Sequence, residues 1–423
     1  MKPIPHHPSA VENKDARSAR PLSRDRRRFL IRAAQAGALW AFGSLFGSAG
    51  TRNAWAQNDA PGTAAYPGKF TLLDRGQRPL NLETPIALLD QEITPNDAFF
   101  VRNHGTIPEV DPSTWRLTVE GELLRTVELS LDQLKRDYEV VTMTAVLECA
   151  GNGRAFFKPP VRGNQWARGA IGCAAWTGVR LRDILRSGGL KPKAVYIGCY
   201  GADDSLNPGQ VQPFSRGIPI AKALDEHTLV AFQMNGQDIP KPNGYPVRLI
   251  VPGWVGSASQ KWLTRIWVRA EEHDTPFMVG KAYRVPKRTI EPGADIAPED
   301  MRVAMDWPVK SMITRPLEGS SAKAGRALEI RGFAWAGEHA VRRVELSFDG
   351  GKSWNNAATL KPAADKYAWN RWSHDWTPTR AGAQEIWVRA TDDAGNTQPP
   401  EAPWNPGGYL GNAIHRVPVK IDA

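Results

Sequence analysis

The stretch AVLECAGNGRAFF, residues 145–157, closes an apolar run on Cys149 and follows it with Gly151, Asn152, Gly153 and Arg154. A cysteine that only packs does not need such a loop. The two glycines let the backbone come close to another group, asparagine tolerates a tight turn, and Arg154 brings a charge that persists at every pH. A cation beside a thiol favours the thiolate, the form that ligates soft metals or attacks electrophiles. The residues alone therefore offer Cys149 as a soft-metal ligand or a nucleophile, against the plainer reading of a small packing residue. The other two cysteines, Cys173 and Cys199, make the total odd, so at most one disulfide can form. There is no C-x-x-C, no C-x-x-C-H for haem and no H-E-x-x-H, and the eight histidines are scattered. A conventional His/Cys metal site has little support.

These residues have to be positioned by a long chain. A length of 423 residues predicts two or three domains. Residues 57–84 read as an extended, Gly/Pro/Ala-rich lead-in. From 85 to 280, short β runs (WRLTVEGEL, VVTMTAVLEC, KAVYIGCYG) mix with helical stretches (SLDQLKRDY, GVRLRDILRSGG), which predicts an α+β domain. Residues 281–310 are Pro-punctuated and charged, as in a surface connector. Residues 311–423 alternate polar and apolar between Gly/Asp/Asn turns, the pattern of an immunoglobulin-like β-sandwich.

The formal charge of +10 is concentrated at one end. Ten of the 54 Lys and Arg residues, but only three of the 44 acids, lie in residues 1–56. The remainder is nearly balanced, which argues against nucleic-acid binding. The same segment has a charged start, a short Ala/Gly/Leu/Phe stretch and the small-residue site Ala54-Trp55-Ala56, the layout of an export signal cleaved near Ala56. Arg26-Arg27 ahead of Arg28-Phe29-Leu30 resembles a twin-arginine signal, which implies the twin-arginine export machinery and a periplasmic destination.

Several stretches together resemble the sulfite oxidase family of molybdenum enzymes: FFVRNHG (99–105), ECAGNGR (148–154), W-x-x-G-A-I (166–171) and YPVRLIVPGWVG…KW (245–262), in family order. The haem-free bacterial periplasmic sulfite dehydrogenases are the most similar branch. The resemblance implies a molybdopterin-binding domain of mixed α/β structure followed by a dimerisation domain, hence a homodimer. It implies a molybdenum-molybdopterin cofactor with one pterin and a dioxo metal, with Cys149 as the sole protein ligand and no haem in this chain. The implied reaction is oxygen-atom transfer to sulfite, with a c-type cytochrome as electron acceptor. Arg102 and Arg154 become an anion clamp, while Trp166 walls the pocket and Tyr283 offers a hydroxyl. His104, Arg216, Asn243, Arg248, Ser257 and Lys261 fall at cofactor-contacting positions. Without the resemblance, Arg102 is a strand-edge charge, Trp166 one of sixteen tryptophans and Tyr283 a linker aromatic.

One position departs from the pattern. Many relatives carry a third substrate arginine in a W-N-x-R-G segment, whereas here WNPGGY places Gly407 there. Cys173 and Cys199 match nothing and read as structural, with their pairing left open. The rival enzyme is a sulfane dehydrogenase molybdenum subunit of a thiosulfate-oxidising complex. The rival from another class is a secreted binding protein, which would hold no metal.

Overall fold

The strand Val140–Glu148 pairs antiparallel along its whole length with Ile171–Arg180, from Val140 opposite Val179 to Glu148 opposite Ile171. Its inward positions Met143, Ala145 and Leu147 are buried, and alternation along a pleated strand is the reason. The computed structural model describes residues 62–64, 66–206, 214–357 and 359–423. Residues 1–56, where the sequence predicts an export signal, lie outside the described residues. Ile171–Arg180 is flanked on its other edge by Leu229–Met234. A second sheet runs Ser215–Pro219, Tyr196–Gly201, Leu263–Arg269, Arg116–Gly121, Val127–Ser130. The lead-in is not merely extended: Leu72–Gln77 and Leu80–Glu83 form an antiparallel pair that Val101–Arg102 joins.

Helices are few and short, so this domain is mostly strand and more β-rich than its α+β pattern predicts. Among the described residues they are Leu131–Asp137, Leu181–Gly188 and Ile220–Ala223. The first starts at a capping box, with Ser130 and Gln133 each satisfying the other's backbone N–H. The stretch GVRLRDILRSGG divides between two elements. Gly178, Val179 and Arg180 stay in the sheet opposite Ala231, Val230 and Leu229, and only Leu181–Gly188 is helical. A side chain at position 178 would meet the Val230 carbonyl oxygen at 2.3 Å, so the glycine is a close-packing residue rather than a helix former. Leu181, Ile184 and Leu185, at helical spacing, are fully buried in the larger core.

The C-terminal region is two sheets sharing one core. Lys310–Arg315, Leu328–Trp335 and Asn370–Trp376 lie in one sheet, and Val341–Ser347, Gly382–Asp392 and His415–Asp422 in the other. Ile313, Ile330 and Trp372 from the first pack with Leu346, Val388 and Val419 from the second. The connector region contains a two-stranded element of its own, Arg284–Pro286 with Met301–Val303. Residues 60–423 form one compact unit, and partly buried polar contacts join the two regions. Asp90 takes guanidinium hydrogen bonds from Arg315 and Arg331. Glu338 accepts from Lys222 at 2.6 Å and Trp254 at 2.9 Å.

Candidate active site

Cys149 sits just past the last residue of its strand, where its N–H still donates to the Ala170 carbonyl at 2.9 Å. The chain then turns at once. Asn152 N–H reaches the Cys149 carbonyl at 2.7 Å, and Gly153 adopts φ +92° before a single 3₁₀ turn over Arg154–Phe156. The Arg154 guanidinium folds back over Gly151, where a Cβ would lie 2.4 Å from Nη2 and would have to displace it.

Two cavities meet at this cysteine. Arg102, Cys149 and Tyr283 line both. The inner cavity adds His104, Asp203, Asn243, Arg248, Ser257, Gln260 and Lys261, and the outer mouth adds Arg154, Arg162, Asn164, Lys281, Gly407 and Tyr409. The sequence-predicted residues are thus largely brought together, from segments up to 181 residues apart (Arg102 to Tyr283). Two are not at a cavity wall. Trp166 is fully buried in the cluster that holds Cys149, Phe99 and Phe100, and its indole N–H has no partner. Arg216 is buried behind Tyr283, with its guanidinium carbon 4.8 Å from the centre of that ring and Nη1 donating to the Phe277 carbonyl.

His104 stacks on Phe214 at 3.8 Å, and its Nε2 lies 2.5 Å from the Tyr283 hydroxyl. Burial holds the His104 imidazolium well below its ordinary range, reinforced by Arg102, Lys261 and Arg216, so the ring is neutral. Burial pushes the Tyr283 phenol up, so it stays protonated. Tyr283 also holds a left-handed backbone, φ +52°, which is uncommon for a non-glycine residue and marks a constrained position. Cys173 and Cys199 are free, buried and pushed up to about 12 by desolvation. They are inert packing thiols, unpaired with each other.

Comparison with known proteins identifies the fold. Residues 104–277 match the oxidoreductase molybdopterin binding domain, and residues 301–422 match the Mo-co oxidoreductase dimerisation domain. Sulfite oxidase from Gallus gallus is 37% identical over 369 residues, covering 83% of this chain and 78% of that one. The chain belongs to the sulfite oxidase family. Mitochondrial sulfite oxidase from Drosophila melanogaster is 37% identical over 375 residues, covering 84% of this chain but 64% of the fly protein. The crystal structure of the sulfane dehydrogenase SoxCD from Paracoccus pantotrophus is similar with a TM-score of 0.71 and 26% identity, over 90% of this chain and 94% of that one.

The inner cavity fits the molybdopterin of a sulfite oxidase family member on physical grounds. Its lining holds Arg102, Arg248 and Lys261 against a single carboxylate, Asp203. Arg248 is spent on the carbonyls of Asn243 at 2.6 Å and Ser259 at 3.1 Å, yet its Nε has no partner. The Ser257 hydroxyl is likewise buried and unpaired. Lys261 donates to Asn103 Oδ1 and, at 2.9 Å, to the Pro242 carbonyl. Burial lowers Arg248 to about 9, and burial, reinforced by Arg248 nearby, takes Lys261 well below its ordinary value. A phosphate-bearing pterin would supply an anion here and could accept from the unpaired donors. Asn243 serves chiefly as a strut, accepting from Lys69 at 2.7 Å and donating to the Phe100 carbonyl at 3.0 Å. Among the described residues no group of three or more His, Cys, Asp or Glu side chains is placed to hold a metal ion. Cys149 is the soft donor on the cavity lining, a type that would suit a metal held otherwise by pterin sulfurs.

Lys69, Asp203 and Gln260 also shape this region without any local sequence signal. Lys69 is lowered to about 7 by burial, against about 10.4 for a free lysine. Between those values the unfolded chain binds the extra proton, so stability must rise with pH. The cofactor-free protein is therefore expected to melt at a higher temperature at pH 9 than at pH 7 in phosphate-free buffer, with Lys261 acting in the same direction and Arg248 contributing only above about pH 9. Cofactor loading is expected to flatten the slope by keeping the cations charged. A midpoint that falls over this interval would contradict the burial assigned to Lys69.

Proposed function

We propose that this chain is a periplasmic molybdenum sulfite dehydrogenase, exported by the twin-arginine pathway, dimeric through its C-terminal domain and passing electrons to a c-type cytochrome. One observation carries the reading: a single buried cysteine lies at the seam between a cation-rich inner cavity and an arginine-lined mouth. Cys149 would ligate the molybdenum, and Arg248, Ser257 and Lys261 would hold the pterin end. The bound centre supplies oxygen-atom transfer and takes up two electrons.

The chain's own residues bind and orient the anion. Arg154 donates Nε to the Gly407 carbonyl at 2.9 Å and Nη1 to the Asn164 carbonyl at 3.0 Å, which locks the guanidinium and leaves Nη2 over Gly151 for a sulfite oxygen. Arg102 supplies the second cation from the opposite segment. With His104 in its Nε2–H form, the imidazole donates to the Tyr283 oxygen and frees the phenol proton for the substrate. Arg154→Gln is expected to raise the sulfite KM about 10–100-fold with a smaller change in kcat, because a charge-assisted contact common to substrate and transition state is lost. An unchanged KM would place Arg154 outside substrate binding.

The test is sulfite-dependent reduction of ferricyanide or cytochrome c by mature protein whose molybdenum content is quantified in the same sample. Turnover that scales with molybdenum supports sulfite dehydrogenase. Full occupancy without turnover favours the second reading, a sulfane dehydrogenase subunit acting on carrier-bound sulfur, for which the likeness to SoxCD speaks.

A further inference from the structure

The mouth of the site lacks a side chain at position 407, and the packing shows why. A Cβ on Gly407 would lie 2.1 Å from the Tyr409 ring, and one on Gly408, where φ is +57°, would lie 2.6 Å from Val161 and 2.8 Å from Arg154. The segment from Asn405 to Tyr409 is therefore pressed flat onto Arg154. It is closed on itself by Asn405, whose amide accepts from the Tyr409 N–H at 2.9 Å and donates to the Tyr409 carbonyl at 2.9 Å. What the loop delivers to the cavity instead is the Tyr409 side chain. Its ring stacks on Tyr283 with centroids 5.3 Å apart and planes 15° apart, and the Arg154 guanidinium carbon lies 5.2 Å from its centre. Tyr409 lines the mouth together with Cys149, Arg102 and Arg154. Its hydroxyl donates to no described residue and is not among the buried unpaired atoms, so it is open to a ligand.

We propose that Tyr409 is a substrate-contacting, specificity-determining residue, whose hydroxyl donates to an oxygen of the sulfur oxyanion where a side chain from position 407 has no room. This rests on the oxyanion reading above. A phenol donor adds a directional contact without adding charge to a mouth that already holds Arg102, Arg154, Arg162 and Lys281, and its ring packs on Tyr283 and Arg154. The hydroxyl therefore adds hydrogen-bond geometry to a mouth whose Arg and Lys residues already supply the positive charge.

Tyr409→Phe keeps the ring stack and removes only the hydroxyl. It is expected to raise the sulfite KM roughly fivefold, the worth of one hydrogen bond, with kcat within about twofold. Calorimetric titration of sulfate into the molybdenum-loaded protein reads the same contact without turnover, and binding is expected to weaken by the same factor. Weaker sulfate binding in Tyr409→Phe while wild type fails to turn over sulfite would retain Tyr409 as an oxyanion contact and remove the sulfite substrate. Gly407→Arg alone is expected to loosen anion binding by colliding with Tyr409, whereas Gly407→Arg with Tyr409→Gly is expected to tighten it relative to that single variant. Unchanged KM and sulfate affinity in Tyr409→Phe would overturn the proposal. So would tightened binding in Gly407→Arg alone, since that would show the ring does not occupy the space.

Discussion

Replacing Cys149 by serine is expected to abolish sulfite oxidation while the protein stays folded. The thiol is 8% exposed and lies at the junction of both cavities, with its backbone N–H tied to Ala170. Serine is smaller by little and keeps that backbone bond, so the change in stability should stay within about 1 kcal/mol. A hydroxyl is a far poorer soft-metal ligand than a thiolate. Loss of an outer partner of a metal ligand typically costs 10–100-fold, so loss of the sole protein ligand should exceed about a hundredfold. Turnover per molybdenum and a thermal unfolding curve measure the two halves. Wild-type-like turnover in Cys149→Ser would remove it from the metal, and an unfolded variant would reassign the thiol to packing.

The residue before this cysteine carries the largest expected effect on stability. Glu148 is fully buried and accepts from Lys310 and, at 2.9 Å, from Asn152 on one oxygen, and from the Trp335 indole at 2.8 Å on the other. Lys310 and Trp335 belong to the C-terminal sheets, and Asn152 to the loop that follows Cys149. One carboxylate therefore fastens the loop after Cys149 to the second domain. Glu148→Ala leaves a buried ammonium with no counter-charge, and breaking such a pair costs about 3–5 kcal/mol. Glu148→Met combined with Lys310→Met removes both charges and is expected to recover most of that loss, because no ion is then stranded. Denaturant midpoints of the single and double variants decide the matter. Equal destabilisation of both would show that packing, rather than the stranded charge, sets the cost. The single variant should also lose activity through the Asn152 amide, which bonds both Glu148 and the Arg168 carbonyl.

Legibility in the sequence tracked the range of the interactions involved. The strand alternation before Cys149, the Ser130 cap and the glycine–arginine loop are set within a few residues, so their pattern is visible in one dimension. The division of GVRLRDILRSGG between strand and helix was not visible. Pairing of Gly178 with Ala231, far along the chain, overrode the local helical periodicity. Trp166 lay in a quoted motif, yet its position behind the cavity wall depends on packing against Phe99 and Phe100.

By itself the sequence showed Cys149 closing an apolar run into a glycine–arginine loop and a charged N-terminal segment, and its family resemblance singled out Arg102, Arg154, Arg248 and Lys261 as residues to be brought together. The tertiary structure alone decided which partners complete them: Lys69 on Asn243, Lys310 on Glu148, and Tyr409 over Arg154 in place of a side chain at Gly407. The physical reason is the same in each case. A buried charge or ring must be satisfied by whatever the packed chain brings within reach, and these partners lie 174, 162 and 255 residues away. No local pattern encodes such a choice; burial enforces it.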